Sequence, residues 1–254
     1  MSDYIKTTEQ IELMRQAGKI LAEAMDQVSL IAKPGVTGDE LDRIAESVIR
    51  DHGAEPAFLG YQGYPSTICL SVNDGLVHGL PVGQTLKEGD LAGIDLGVRF
   101  KGWNVDSANT LAIGKISVDD HDLLKAARQA LVSGIAQVKD GVSLGTVQAA
   151  IQKVIDDGGY GLVRSLSGHG IGKQLHEYPS IPNFGQINQG PKLKAGMTIC
   201  LEPMLTAGTD KVKTAADDWT IVSADGSQTA HIEHTLLVTS QGAEILTNWQ
   251  EHEG

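Results

Sequence analysis

Asp95 and Asp106 stand eleven positions apart on either side of Lys101-Gly102. Leu91–Phe100 and Asn104–Gly114 both carry strand-like residues, so the segment folds most simply as a β-hairpin turning at that dipeptide. The midpoint of the aspartates falls within about a residue of the turn, which predicts that they face each other on one side of the ribbon. Two carboxylates ~4 Å apart repel by roughly 4 kcal/mol at an effective dielectric near 20. A turn cap or a solvated side chain explains one aspartate; a cation explains both. Ala92, Ile94, Leu96, Val98 and Phe100 make the even face of the first strand apolar, and on the odd face Gly93 and Gly97 are expected to leave open space around Asp95.

The second half of the chain adds matching groups. His169 lies in Gly168-His169-Gly170-Ile171-Gly172, which is neither a dinucleotide fingerprint nor a phosphate-binding loop. His176 follows seven residues later. Met197–Met204 and Thr229–Thr239 each read as a buried strand, carrying Glu202 and Glu233 on the face opposite the main apolar residues, and Glu202 is followed by a strand-ending proline, Pro203. A glutamate inside an apolar strand is seldom buried unless it is paired or bound to metal, although an edge-strand gatekeeper is the simpler account of one alone. Asp95, Asp106, His169, Glu202 and Glu233 together give four carboxylates and one imidazole without a thiolate. That donor set suits Mn, Fe(II), Co or Zn, and four negative charges balance two divalent ions. Two ions ~3.5–4 Å apart lower the pKa of a shared water from 15.7 toward ~7, which points to hydrolysis of an amide or a phosphate ester.

These residues need a scaffold, and an internal repeat supplies one. Lys33-Pro-Gly-Val-Thr leads into a helical stripe of Leu41, Ile44, Ala45, Val48 and Ile49. Lys139-Asp-Gly-Val-Ser leads into Val147, Ala150, Ile151, Val154 and Ile155, a shift of 106 from position 33 to position 139. Each copy follows another amphipathic helix, over about 8–30 and 119–138, and precedes strand-like segments. The expected architecture is α+β: one domain over 1–254, with halves of about 1–118 and 119–254 and a ligand site between them.

Bulk properties exclude several classes. A chain of 254 residues can bury a large core, and a formal charge of −12 argues against nucleic acid or anionic membrane as the main partner. The start Met-Ser-Asp-Tyr-Ile-Lys lacks an apolar signal region, and no window approaches a membrane span, so a soluble cytosolic protein is expected. Two cysteines, Cys69 and Cys200, make neither a disulfide framework nor a thiolate zinc site.

The order Asp-x10-Asp, Gly-His-Gly-Ile-Gly, Glu-Pro-Met and Glu-His-Thr resembles the pita-bread metallopeptidases, and within them the type I methionine aminopeptidases, from about Ile5 to Trp249. The resemblance implies a pita-bread fold of two pseudo-symmetric halves, helix pairs on a curved, mainly antiparallel sheet, around two divalent ions. It implies Asp95 on one metal, His169 and Glu202 on the other, and Asp106 and Glu233 bridging both. Glu202 would also handle the proton of the attacking water. His78 would contact the peptide nitrogen after the scissile bond, and His176 the scissile carbonyl oxygen. Tyr61, Tyr64, Cys69 and Trp219 would form the methionine pocket, whose soft apolar walls suit a thioether. The implied substrate is the N-terminus of a nascent polypeptide with a small second residue, the implied further partner is the ribosome, and a monomer is expected. An Xaa-Pro peptidase and a binding module without catalysis are the alternative readings. The chain departs from the family pattern at Asn104-Val105, Gln62, Leu175, Phe58 and His231, and His231 is expected beside Glu233.

Overall fold

The computed structural model describes residues 4–250; the outermost residues of the expected 1–254 domain lie outside that range. Four helices organise it: α1 (Thr8–Ile31), α2 (Gly38–Asp51), α3 (Val118–Ile135) and α4 (Leu144–Asp157). Three start where a hydroxyl residue sits three positions before a Gln, Glu or Asp. Thr7 with Gln10, Thr37 with Glu40 and Ser117 with Asp120 close reciprocal capping boxes that satisfy otherwise orphaned amides. On α1, Met14, Ala17, Leu21, Ala24, Met25 and Val28 recur at helical spacing and are fully buried.

α2 and α4 keep the 106-residue offset at both ends, from 38 to 144 and from 51 to 157. The loops leading into them are tied in the same way. The amide of Gly35 donates to the Leu86 carbonyl and that of Leu86 to Val36, while Gly141 donates to Leu193 and Leu193 to Val142. The repeat read from the sequence is therefore a repeat of hydrogen bonding, with α1 packed on α2 and α3 packed on α4.

Every strand pairing is antiparallel among the described residues. The predicted hairpin forms from Leu91–Phe100 and Trp103–Ala112, with Lys101 (φ 48°) and Gly102 (φ 82°) both in the left-handed region that a two-residue type I′ turn requires. Ala92, Ile94, Leu96 and Val98 are fully buried against the core, where α1 packs on the ribbon. The register differs from the expected one. Asp95 faces Ala108 and Asp106 faces Gly97, because Phe100 pairs with Trp103 and the ladder is centred on the turn itself. The aspartates are diagonal neighbours on one face, not directly opposed.

Gly97 is also not beside open space. A Cβ there would lie 2.8 Å from the Phe58 ring and 2.9 Å from Ala57, so the missing side chain admits Phe58.

Two expected strands are each broken in the middle. The chain pairs as Thr198–Leu201, then Met204–Thr206 in another sheet; likewise Thr229–His231 precedes His234–Val238. Leu201 pairs with His234, and Met204 with His231. Continuing that register through the break sets Glu202 across from Glu233. Both glutamates thus occupy the point where two adjacent chains change sheets, and their backbones are free of the ladders on either side. No helix among the described residues is long and apolar enough to cross a membrane.

The hairpin is stitched to these strands by side chains. The Asp106 amide donates to Thr235 Oγ1 (2.9 Å), and that hydroxyl donates back to the Asp106 carbonyl (2.8 Å). The Glu233 amide donates to the Ala108 carbonyl (2.9 Å), and Ser107 Oγ to the Glu233 carbonyl (2.6 Å). The seam between the two halves therefore runs along Asp106 and Glu233.

Candidate metal centre and its cavity

A cavity of about 400 Å³ opens at this seam, lined by the five predicted ligands and by all six of the other predicted site residues. His169 is placed by Ser167–Gly170, a strand held between Thr198–Leu201 and Glu177–Pro182. Its flanking glycines serve its neighbours and not a ligand: a Cβ on Gly168 would lie 2.4 Å from the Cys200 carbonyl, and one on Gly170 would lie 2.2 Å from that of Tyr178. The His169 ring is held by a 2.9 Å bond from Nδ1 to the Gly170 carbonyl. A carbonyl only accepts, so Nδ1 carries the proton and Nε2 presents a lone pair. Desolvation by burial pushes the ring's pKa down to about 3, which keeps it neutral.

That lone pair points at carboxylates. His169 Nε2 lies 3.5 Å from Glu202 Oε1 and 3.8 Å from Asp106 Oδ2. These separations are long for hydrogen bonds. Donors around a shared ion, at bond lengths near 2.0–2.2 Å, lie roughly 3.0–3.5 Å apart, which the Glu202 separation meets and the Asp106 separation slightly exceeds. Asp106 and Glu233 are buried and Asp95 is half-buried; Asp95 Oδ1, Asp106 Oδ1 and Glu233 Oε1 have no hydrogen-bond partner. Unpaired buried carboxylate oxygens are costly, and a cation removes the cost.

Electrostatics follow from the crowding. Burial, and then the Glu233, Asp95 and Glu202 charges, hold the Asp106 carboxyl well above the usual range. Burial does the same to Glu202 and Glu233, and pushes Asp95 up to about 6. A group of acids this reluctant to ionise alone is one that ionises onto metal. The residues present therefore fit divalent ions.

Cys200 was missed as a member of this cluster. Its sulfur and one ligand atom each from Asp106, His169 and Glu233 lie within 4.8 Å of one another, and the thiol is buried. Two positions before Glu202, it shares that residue's face of the strand, a signal that alternation alone provides. His231, expected beside Glu233, also approaches the glutamate across from it. Its Nε2 lies 3.6 Å from Glu202 Oε2 and has no hydrogen-bond partner.

Around the carboxylates stands a soft pocket. Cys69 pairs directly across from Asp95. The Tyr64 hydroxyl is shared between the Ile68 and Gly79 carbonyls, and its ring meets Trp219 edge-on at 5.2 Å. Phe58, Leu175 and Met204 complete the wall. His78 enters from a residue with φ 60°, a conformation costly for a side chain and concentrated at functional sites. Desolvation first, and then repulsion from His231 and His176, push its pKa down to about 4.

The loop that carries His176 is tied down at two points. Lys6, fully buried along its side chain, bonds Glu177 Oε2 at 2.8 Å, and Glu177 Oε1 accepts from the Gln174 amide. Asn104 Nδ2 donates to the Gly172 and Lys173 carbonyls. The departure at Asn104 is therefore a tether, and buried Val105 packs in the core.

Two matched halves closing on buried carboxylates and one proton-locked imidazole define a metal-dependent hydrolase. The profile of metallopeptidase family M24 matches residues 12–240. "Methionine aminopeptidase 1" of Bacillus subtilis (strain 168) is 44% identical over 242 residues, covering 95% of this chain and 98% of that one. The crystal structure of methionine aminopeptidase from Thermotoga maritima has a TM-score of 0.94 at 40% identity, covering 96% of this chain and 98% of that one. Prolidase from Pyrococcus furiosus, with a TM-score of 0.79 at 24% identity, covers 98% of this chain and 66% of its own; it shares the fold. The chain belongs to metallopeptidase family M24, among its methionine aminopeptidases, and has the α+β pita-bread fold.

Proposed function

We propose that this enzyme removes the initiator methionine from new polypeptides, preferring a small second residue, with two divalent ions (Co, Mn, Fe(II) or Zn) held by Asp95, Asp106, His169, Glu202 and Glu233. In this reading Asp95 serves one ion, His169 and Glu202 the other, and Asp106 and Glu233 both. When bound, the ions supply an acidified water and a counter-charge for the substrate. The observation that carries the proposal is the set of buried, partnerless oxygens on Asp95, Asp106 and Glu233 beside the neutral lone pair of His169.

The chain's own residues do the rest. Tyr61, Tyr64, Cys69 and Trp219 receive the methionine side chain. The α-amine of the first residue faces the carboxylates, so the site reads a chain end. His176 donates to the scissile carbonyl oxygen as charge develops there, and His78 contacts the following peptide nitrogen. Glu202, which ligation to an ion would keep ionised, takes a proton from the attacking water. We place this work in the cytosol, on nascent chains near the ribosome, with one chain over 1–254 as the catalytic unit, its halves about 1–118 and 119–254.

A peptide panel tests the substrate reading. Metal-loaded protein is expected to trim Met-Ala-Ser, to trim Met-Lys-Ser poorly and to leave Ala-Pro-Ser almost intact, with no cleavage after chelation. Faster cleavage of Ala-Pro-Ser than of Met-Ala-Ser contradicts it and favours an Xaa-Pro peptidase.

A further inference from the structure

The role proposed for His176 demands a proton on Nε2, yet a neutral imidazole can carry its proton on either nitrogen. His176 stands at the exposed rim of the cavity, where bulk water imposes no choice. One neighbour does. The Tyr61 hydroxyl lies 2.9 Å from His176 Nδ1, and the two rings tilt against each other with centroids 5.5 Å apart. The His176 ring also meets His169 edge-on, with centroids 4.3 Å apart. The imidazole thus touches both a phenol and a metal-ligand candidate.

Both rings come from anchored backbone. Tyr61 opens a short turn, Tyr61–Gly63, closed by the Tyr64 amide on the Tyr61 carbonyl and by the Gly60 amide on the Tyr64 carbonyl. Below His176, Leu175 is buried and Glu177 is clamped by Lys6. What remains adjustable is the side-chain torsions of the two rings, and the hydrogen bond between them fixes those.

We propose that Tyr61 is a positioning residue: its hydroxyl donates to His176 Nδ1, sets the Nε2–H tautomer and aims that proton at the scissile carbonyl. This rests on the oxyanion role of His176 given above. Because Tyr61 is also a wall of the methionine pocket, a side chain seated against it holds the hydroxyl in place. A first residue that fills the pocket badly leaves His176 free to turn. Selection for methionine is then expressed in the chemical step and not only in binding, as required for interactions used in the transition state.

Histidine-¹⁵N NMR of the zinc-loaded enzyme, read alongside steady-state kinetics, tests this. The wild type is expected to show a pyridine-like Nδ1 and a pyrrole-like Nε2 on His176. Tyr61→Phe should move both signals toward the averaged pattern of a free imidazole. It should lower kcat on Met-Ala-Ser about three- to tenfold, the worth of one neutral hydrogen bond, with KM nearly unchanged. A proton on Nδ1 in the wild type overturns the proposal. So does a Tyr61→Phe variant that changes KM alone, or changes neither constant. His176→Ala, assayed in parallel, separates the two claims: full activity there removes the oxyanion role itself, whatever the tautomer.

Discussion

Asp106→Asn is expected to abolish peptide cleavage and, in the metal-free protein at neutral pH, to raise stability. The first effect follows from removing a carboxylate proposed to serve both ions. The second follows from what that carboxylate costs when no ion is present. Asp106 is buried with one oxygen partnerless, and one of its oxygens lies within 4.8 Å of one on Glu233. Two charges at that distance repel by roughly 3.5 kcal/mol at an effective dielectric near 20. An amide of the same shape keeps the contacts and loses the charge, so a gain on the order of 3 kcal/mol is expected.

The effect has a defined pH dependence. Burial and neighbouring charge raise the folded pKa of Asp106 above its unfolded value of 3.8. A group shifted that way contributes its full stability below the unfolded pKa and loses it as pH rises through the folded one. Asparagine does not titrate. Urea unfolding of chelated wild type and variant should therefore nearly coincide at pH values below about 4 and separate progressively toward neutrality, with the variant more stable. A variant less stable than wild type at neutral pH contradicts this account of the carboxylate cluster.

His176→Ala should lower kcat on Met-Ala-Ser by about 10²–10³-fold, the usual loss for one oxyanion donor. KM should change little, because the donor is asked to act on charge that develops only as the carbonyl is attacked. The fold should survive. The side chain lies at the exposed rim, and the loop beneath it is secured by Lys6–Glu177 and Asn104, not by the imidazole. Thermal melting alongside the kinetics separates a catalytic loss from an unfolded sample. A drop in affinity with kcat preserved assigns His176 to substrate binding alone.

The helix pairs were legible because their signals are local. Apolar residues recur at helical spacing, and the hydroxyl before the stripes of α2 and α4, Thr37 and Ser143, repeats at an offset of 106 positions. The hairpin was legible by alternation, although its register was not: an aspartate pair whose midpoint falls near the turn does not by itself distinguish directly opposed from diagonal partners. The break at Glu202 has a local mark, since Pro203 follows it and cannot donate to a ladder. The break at Glu233 has none: Ala230, Ile232 and Leu236 keep the alternating apolar pattern running through it while the chain changes sheets.

Long-range pairs left no local trace. Lys6 with Glu177 spans 171 positions and Tyr61 with His176 spans 115. Only the folded chain shows that one steadies the backbone of His176 and the other touches its ring. Two cysteines point to neither a disulfide framework nor a thiolate zinc site, and only alternation along the strand places Cys200 on the face of Glu202.

The claim at the centre of this account is that the two halves close on two divalent ions. Calorimetric titration of chelated protein with Mn or Co, with the bound metal counted by mass spectrometry, tests it most directly. Two equivalents per chain are expected, with protons released on binding, and Asp106→Asn should fail to hold both ions. One equivalent in the wild type, or an Asp106→Asn variant that retains two, contradicts it.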